Sequence, residues 1–436
     1  MLFKAVNDND LELAVKSLTP SILNLIKGAD VNAKNKSGNS PLIIASEKGS
    51  KDIIQLLIDR GADINIRDKS GNTPLIIASD KGYTEIVEYL VARGSNINSR
   101  NNDENTAIIL ASDKGHKETI EILLNNGAAI KTNNKDGNNP LIFAVNKGYI
   151  EIINLLIDNG ANINARNNHG NSPLIIAVEN GFCEISELLV KSGAEVNTKN
   201  KSGTTPLMIA SEKGQTGTVR ILIDKGADVN AKNNYGDTPL IFASNNGFFE
   251  IVNHLLASGA VIDIKNELGN TPLILASAGG FKNIVELLIS KKADVNVKNY
   301  KGETPLSLVS SNRNNDLVNL LTKSGAVKQP EERQFKKKDK SREKLSHIKR
   351  GGFGEPYCSD ECYDKGGKYA AAVMLKKQSG VCGFCKRPVQ ASMYGVSNCA
   401  IVPYEGVNLF ICDTCVKQGQ EYLRKYGKCC MCQKSL

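Results

Sequence analysis

The chain has 436 residues and a formal net charge of +9, and it is 41% hydrophobic and 23% charged. That length fits roughly two to four globular domains or one elongated array, and that hydrophobic share excludes a chain disordered throughout. With no tryptophan and only 5% aromatic residues, thin helical layers are expected rather than one large core.

Residues 1–31 read as an N-terminal cap. Leu2–Val6 and Leu11–Leu18 form a helix pair, and Thr19–Ile26 is an inserted segment. The N-terminus is charged from Lys4 onward and lacks the apolar core of a secretory signal. No apolar run approaches the ~18 residues that would span a membrane. An intracellular, cytoplasmic and reducing setting is therefore expected, in which clustered cysteines point to metal before disulfides.

Residues 32–327 repeat with a 33-residue period. A Ser/Thr-Pro-Leu motif or a close variant recurs nine times, from Ser40-Pro41-Leu42 and Thr73-Pro74-Leu75 to Thr304-Pro305-Leu306. Gly-Ala or a near variant keeps the same step from Gly28-Ala29 to Gly325-Ala326. In the unit 65–97, a turn-rich tip closes at Gly71, and Thr73 is a good N-cap with Pro74 at the first helical position. Leu75, Ile76, Ala78 and Ser79 lie in a short helix ending at Gly82. Glu85–Arg93 forms a second helix with Ile86, Val87, Leu90 and Val91 on one face. Gly94 ends it. Such a pair buries its apolar face only by stacking on neighbours.

These motifs resemble the ankyrin repeat, with nine repeats preceded by the cap. The resemblance implies an all-α repeat solenoid of helix-turn-helix units with β-hairpin tips. Where the family often has His after Thr-Pro-Leu, this chain has Ile43, Ile76, Ile109, Ile142, Ile175, Met208, Ile241, Ile274 and Ser307. Apolar packing is expected to replace the histidine's hydrogen bonds. Ser307, Ser310 and Ser311 fit a C-terminal cap facing water or the next domain. His116 and Cys183 read as structural filler.

The resemblance also implies a protein partner held by the tips and the concave inner-helix face. Acid–Lys pairs such as Glu47-Lys48, Asp80-Lys81 and Asp113-Lys114 are nearly neutral. Toward the C-terminal half the tips turn aromatic and apolar, at His169, Tyr235, Leu268 and Tyr300. Aromatic residues on a polar surface are typical interface anchors, so a partner is expected over repeats five to nine. The array has no phosphate-binding loop and no nucleophile elbow.

The charge is concentrated beyond the repeats. Residues 1–327 hold 34 Lys/Arg against 35 Asp/Glu, and residues 328–350 hold ten against four. Residues 351–436 hold eleven against seven. Residues 328–350 read as a solvated basic linker. Its run Lys336-Lys337-Lys338 also suits a nuclear address or a phosphate-contacting patch, although no clear signal supports nuclear or host-cell delivery.

Residues 351–436 read as a small α+β zinc-binding domain. Ten of the eleven cysteines lie there. They form the groups Cys358/Cys362, Cys382/Cys385, Cys412/Cys415 and Cys429/Cys430/Cys432, with Cys399 between the second and third. Pairs two or three apart suit four-thiolate zinc sites, and four groups imply two Zn2+. A knuckle at Cys382–Cys385, a hairpin within 388–411 and a helix over Val416–Tyr426 resemble a treble-clef finger. That resemblance pairs Cys382 and Cys385 with Cys412 and Cys415. The second site then joins Cys358 and Cys362 to two of Cys429, Cys430 and Cys432, and a cross-braced pairing stays open. Sites filled by sulfur leave no position for catalytic water, which makes the zinc structural.

The sequence therefore reads as a non-enzymatic intracellular scaffold or adaptor. Two other readings are a zinc-finger ubiquitin ligase-like enzyme and a nucleic-acid-binding regulator acting through the linker and the zinc domain. The first would form ubiquitin chains, and the second would bind RNA or DNA with a steep salt dependence.

Overall fold

Each repeat builds two short helices from local signals. Thr73 sits in extended conformation (φ −89°, ψ 163°), and its side chain accepts a hydrogen bond from the Ile76 amide at 3.3 Å. Pro74 starts the helix without loss of a bond. The helix ends at Gly82, whose φ of +71° is the left-handed conformation glycine adopts most readily.

The computed structural model describes residues 1–18 and 29–327, and the backbone of 399–404 and 407–412. The expected inserted segment, the basic linker and all the expected zinc ligands except Cys412 lie outside the described residues. The chain divides into two units, Met1–Arg333 and Gln334–Leu436.

The first unit opens with α1 (Leu2–Asp8) and α2 (Leu11–Leu18). Helix pairs follow: α3 (Pro41–Lys48) with α4 (Lys51–Asp59), then α5 (Pro74–Lys81) with α6 (Thr84–Ala92). The pattern continues to α19 (Pro305–Ser311) and α20 (Asn315–Lys323). The first helix of a pair lies between its neighbours and is buried nearly all round, as Pro74 through Ser79 show. The second helix buries one face, in α6 through Ile86, Val87 and Leu90. One continuous apolar core runs from Leu2 to Ala326. The isoleucines that stand in the histidine position are part of this packing, Ile43 at 0% and Ile76 at 1% exposure. Ser307, Ser310 and Ser311 of the last repeat are exposed.

The tips differ from the hairpins expected. Among the described residues of the array they are turns without strands. The reason is that neighbouring tips share at most one main-chain bond per pair, such as Asn102 N to Ser70 O at 2.8 Å, which is too little for a ladder.

Side chains add the missing cross-ties. An Asn at the tip base accepts from an amide 31 residues on, as in Asn32 with Asp63 N, Asn65 with Asn96 N and Asn98 with Ala129 N. A Lys or Arg two positions later donates to the carbonyl one period ahead, as in Arg67 to Arg100 O at 2.6 Å and Arg100 to Asn133 O at 2.8 Å. A third Asn crosses back by 29 residues, as in Asn101 Nδ2 to Asn72 Oδ1 at 2.9 Å.

In the second unit, β1 (Cys399–Tyr404) and β2 (Val407–Cys412) pair antiparallel, with Cys399 opposite Cys412 and Tyr404 opposite Val407. Apart from Cys412, the strands lie within the stretch expected to form a hairpin.

Candidate functional site

The tips are held by asparagine. Asn233 Oδ1 accepts from the amides of Tyr235 and Asp237, both at 2.9 Å. Asn266 does the same for Leu268 and Asn270, both at 3.0 Å, and Asn299 for Lys301 and Glu303 at 3.0 and 2.9 Å. A side chain that satisfies two turn amides fixes the backbone that presents the next residue.

Main-chain bonds then place three tips side by side. Glu267 N donates to Tyr235 O at 3.0 Å, and Tyr300 N donates to Leu268 O at 3.1 Å. Tyr235, Leu268 and Tyr300 are 37%, 62% and 74% exposed. Large apolar side chains this open are uncommon on a monomer surface when they sit together. The Tyr300 ring lies across Gly269. His169 is exposed but stands apart, because the tip carrying Ser202 separates it from Tyr235.

The first helices beside these tips carry little charge. Half-buried Phe242, Leu275 and Leu308 are followed by Asn245-Asn246, Ala278-Gly279 and Ser311-Asn312. The N-terminal end differs. A cavity of about 410 Å³ is lined by Glu47, Asp68, Asn72, Ile76, Ile77, Asp80, Lys81, Asn101 and Leu110. Burial, and then the Asp68 carboxylate, push the Glu47 carboxyl above its ordinary value, while Lys81 and Lys48 pull it back. Asp113 pairs with Lys114 at 3.1 Å and with Lys147 at 3.6 Å.

A family model described as "Ankyrin repeats (3 copies)" matches residues 2–101, 93–167, 174–266 and 240–331. The chain belongs to the ankyrin-repeat family. No curated protein matches it. Ankyrin arrays serve as protein-interaction modules, so the family carries an expectation of protein partners. No helix among the described residues is long and apolar enough to cross a membrane.

One periodic feature of the ankyrin array escaped the sequence reading. Tyr83, His116, Tyr149, Phe182, Phe248 and Phe281, at the starts of second helices, each lie over the glycine that follows the preceding repeat's first helix. His116 is thus part of a ring column, with Nε2 3.0 Å from Asp80 O. Gln215 and Asn314 take the remaining places. The signal was the period itself, since these positions recur every 33 residues. Cys183 is an exposed free thiol.

Proposed function

We propose that the protein is a non-enzymatic scaffold whose ankyrin array holds a protein partner against repeats five to nine. The observation that carries this reading is the run of three adjoining tips exposing Tyr235, Leu268 and Tyr300 beside nearly uncharged first helices. Apolar side chains there lose water on contact, and the adjoining first helices bring no charge that must be desolvated. A few such anchors carry most of an interface's energy. Repeats one to four present acids and lysines that already neutralise one another, which suits a solvated face. His169 belongs to the proposed surface as a flanking contact.

The C-terminal unit is, in this reading, a module built on two structural Zn2+. Its support is the spacing of Cys358, Cys362, Cys382, Cys385, Cys412, Cys415, Cys429, Cys430 and Cys432, which suits two four-thiolate sites. The strand register sets Cys399 opposite Cys412, a proposed ligand position.

The test of the partner surface is the triple variant Tyr235→Ala, Leu268→Ala, Tyr300→Ala in the full chain. These side chains contribute little to the core, so the far-UV helical signal is expected to persist. Partners captured by wild type and mapped to repeats five to nine by cross-linking are expected to be lost. Equal recovery by the variant would remove the proposal.

A further inference from the structure

Two of the cross-ties between tips, the base asparagine and the cationic rung, run the length of the array and fail together at one place. The base asparagines resume at Asn164 with Glu195 N, Asn197 with Asp228 N and Asn230 with Val261 N, at 2.8–2.9 Å. The cationic rungs resume at Arg166 to Lys199 O, and continue through Lys199 to Lys232 O and on to Lys265 and Lys298 O. Between the fourth and fifth tips both are absent. Lys131 stands where the accepting Asn belongs, and a lysine has no acceptor to offer. The Asn162 amide has no partner among the described residues. Asn133 stands where a Lys or Arg belongs and forms no bond to Arg166 O.

The apex of the same tip pair stays tied. Asn168 N donates to Asp136 O at 2.8 Å, Asn168 Nδ2 to Lys135 O at 2.7 Å, and Asn167 Nδ2 to Asn138 Oδ1 at 3.1 Å. The repeat just before carries three more departures. Glu104 has a φ of +62°, Ala107 replaces the proline, and Thr106 makes no cap bond.

We propose that the seam between the fourth and fifth tips is a hinge. The base is free to part, and the apex bonds are the last ties between the two tips to open. Stability in such an array is a sum over repeats and their nearest-neighbour interfaces, so tips that lack both base ties part at lower cost than tips that keep them. Repeats five to nine then move as one body, and that body carries Tyr235, Leu268 and Tyr300. A partner spanning the seam would fix the angle between the two blocks, whereas a partner confined to repeats five to nine would leave it free.

Native-state hydrogen exchange on the full chain tests this. The amides of Asn102, Lys135, Asn168, Lys201 and Asn234 all make the same tip-to-tip bond. A missing rung without a hinge leaves Asn168 as protected as the others. A hinge lowers its protection by about tenfold or more. The double variant K131N/N133R restores both rungs and is expected to bring Asn168 into line with Lys135 and Lys201. A second variant, N98K/R100N, removes the rungs one seam earlier and is expected to add the same loss of protection at Lys135. The hinge is overturned by equal protection at Asn168 in wild type, or by protection that neither variant moves.

Discussion

Thr73 and Thr106 stand one period apart and do different work. The Thr73 hydroxyl accepts the Ile76 amide, while Thr106 Oγ1 is buried without a partner. Thr73→Ala is expected to cost about 1 kcal/mol, the worth of an N-cap. Thr106→Ala loses the same buried methyl but no cap bond, and is expected to be less destabilising than Thr73→Ala. Urea midpoints of the two variants provide the comparison, and equal losses would contradict it. Glu179 supplies a pH test. Burial raises its carboxyl above the ordinary value, against the pull of Lys213 and His169. The fold therefore holds the proton more tightly than the unfolded chain, so the ionised form weakens the fold. Stability falls as pH rises through the carboxylate range, and the penalty is complete above the raised value. Glu179→Gln removes it. The variant is expected to unfold at a higher temperature than wild type at pH 7, with the gain vanishing below about pH 4.3.

At the scale of elements, the ring column sets what the glycines tolerate. A Cβ at Gly82 would lie 2.5–2.8 Å from three atoms of the His116 ring, while one at Gly94 would meet nothing within 4 Å. Both residues have positive φ, +71° and +84°. Gly94→Ala is expected to cost about 1 kcal/mol for the left-handed backbone alone. Gly82→Ala is expected to cost about 2–3 kcal/mol, because the ring must also shift. Thermal unfolding of the two variants distinguishes these values. The same contrast shows which features the sequence made legible. The helix pairs were readable because Thr73, Pro74 and the glycines act on their own few neighbours. Helix α6 starts at Thr84, one residue before the sequence-based start at Glu85, and buries Ile86, Val87 and Leu90 as expected, while Val91, expected on the same face, is half-buried. The ring over Gly82 and the rungs at Asn32 or Arg67 were not readable, since their partners lie 29 to 34 residues away and meet only once the repeats stack. The tips were expected as hairpins because their turn residues suit one, but a single bond per neighbour stops short of a strand. Tyr235, Leu268 and Tyr300 were legible as exposed tip residues. That they adjoin while His169 stands apart became visible only with the tip-to-tip bonds.

For the whole molecule, the excess charge lies beyond the array. The array holds 34 basic and 35 acidic residues, and residues 328–350 hold ten and four. In the zinc reading, eight thiolates and two Zn2+ add about −4 to the C-terminal unit. Excess basic charge then rests with residues 328–350 alone. Metal analysis of the purified chain is expected to give about two zinc ions, and fewer than about one would end the two-site reading. A chelator is expected to leave the urea transition of the ankyrin array unchanged, because its core runs from Leu2 to Ala326 without a metal-holding cluster among the described residues.

The rungs between tips also govern how such a chain changes length. Each joins positions a fixed distance apart, 31 residues for Asn65 with Asn96 and 33 for Arg67 with Arg100. Adding or removing one whole period gives every rung an equivalent new partner. Any other insertion within a tip shifts donors past their acceptors on both sides at once. An array tied in this way tolerates a change of length only in whole 33-residue units.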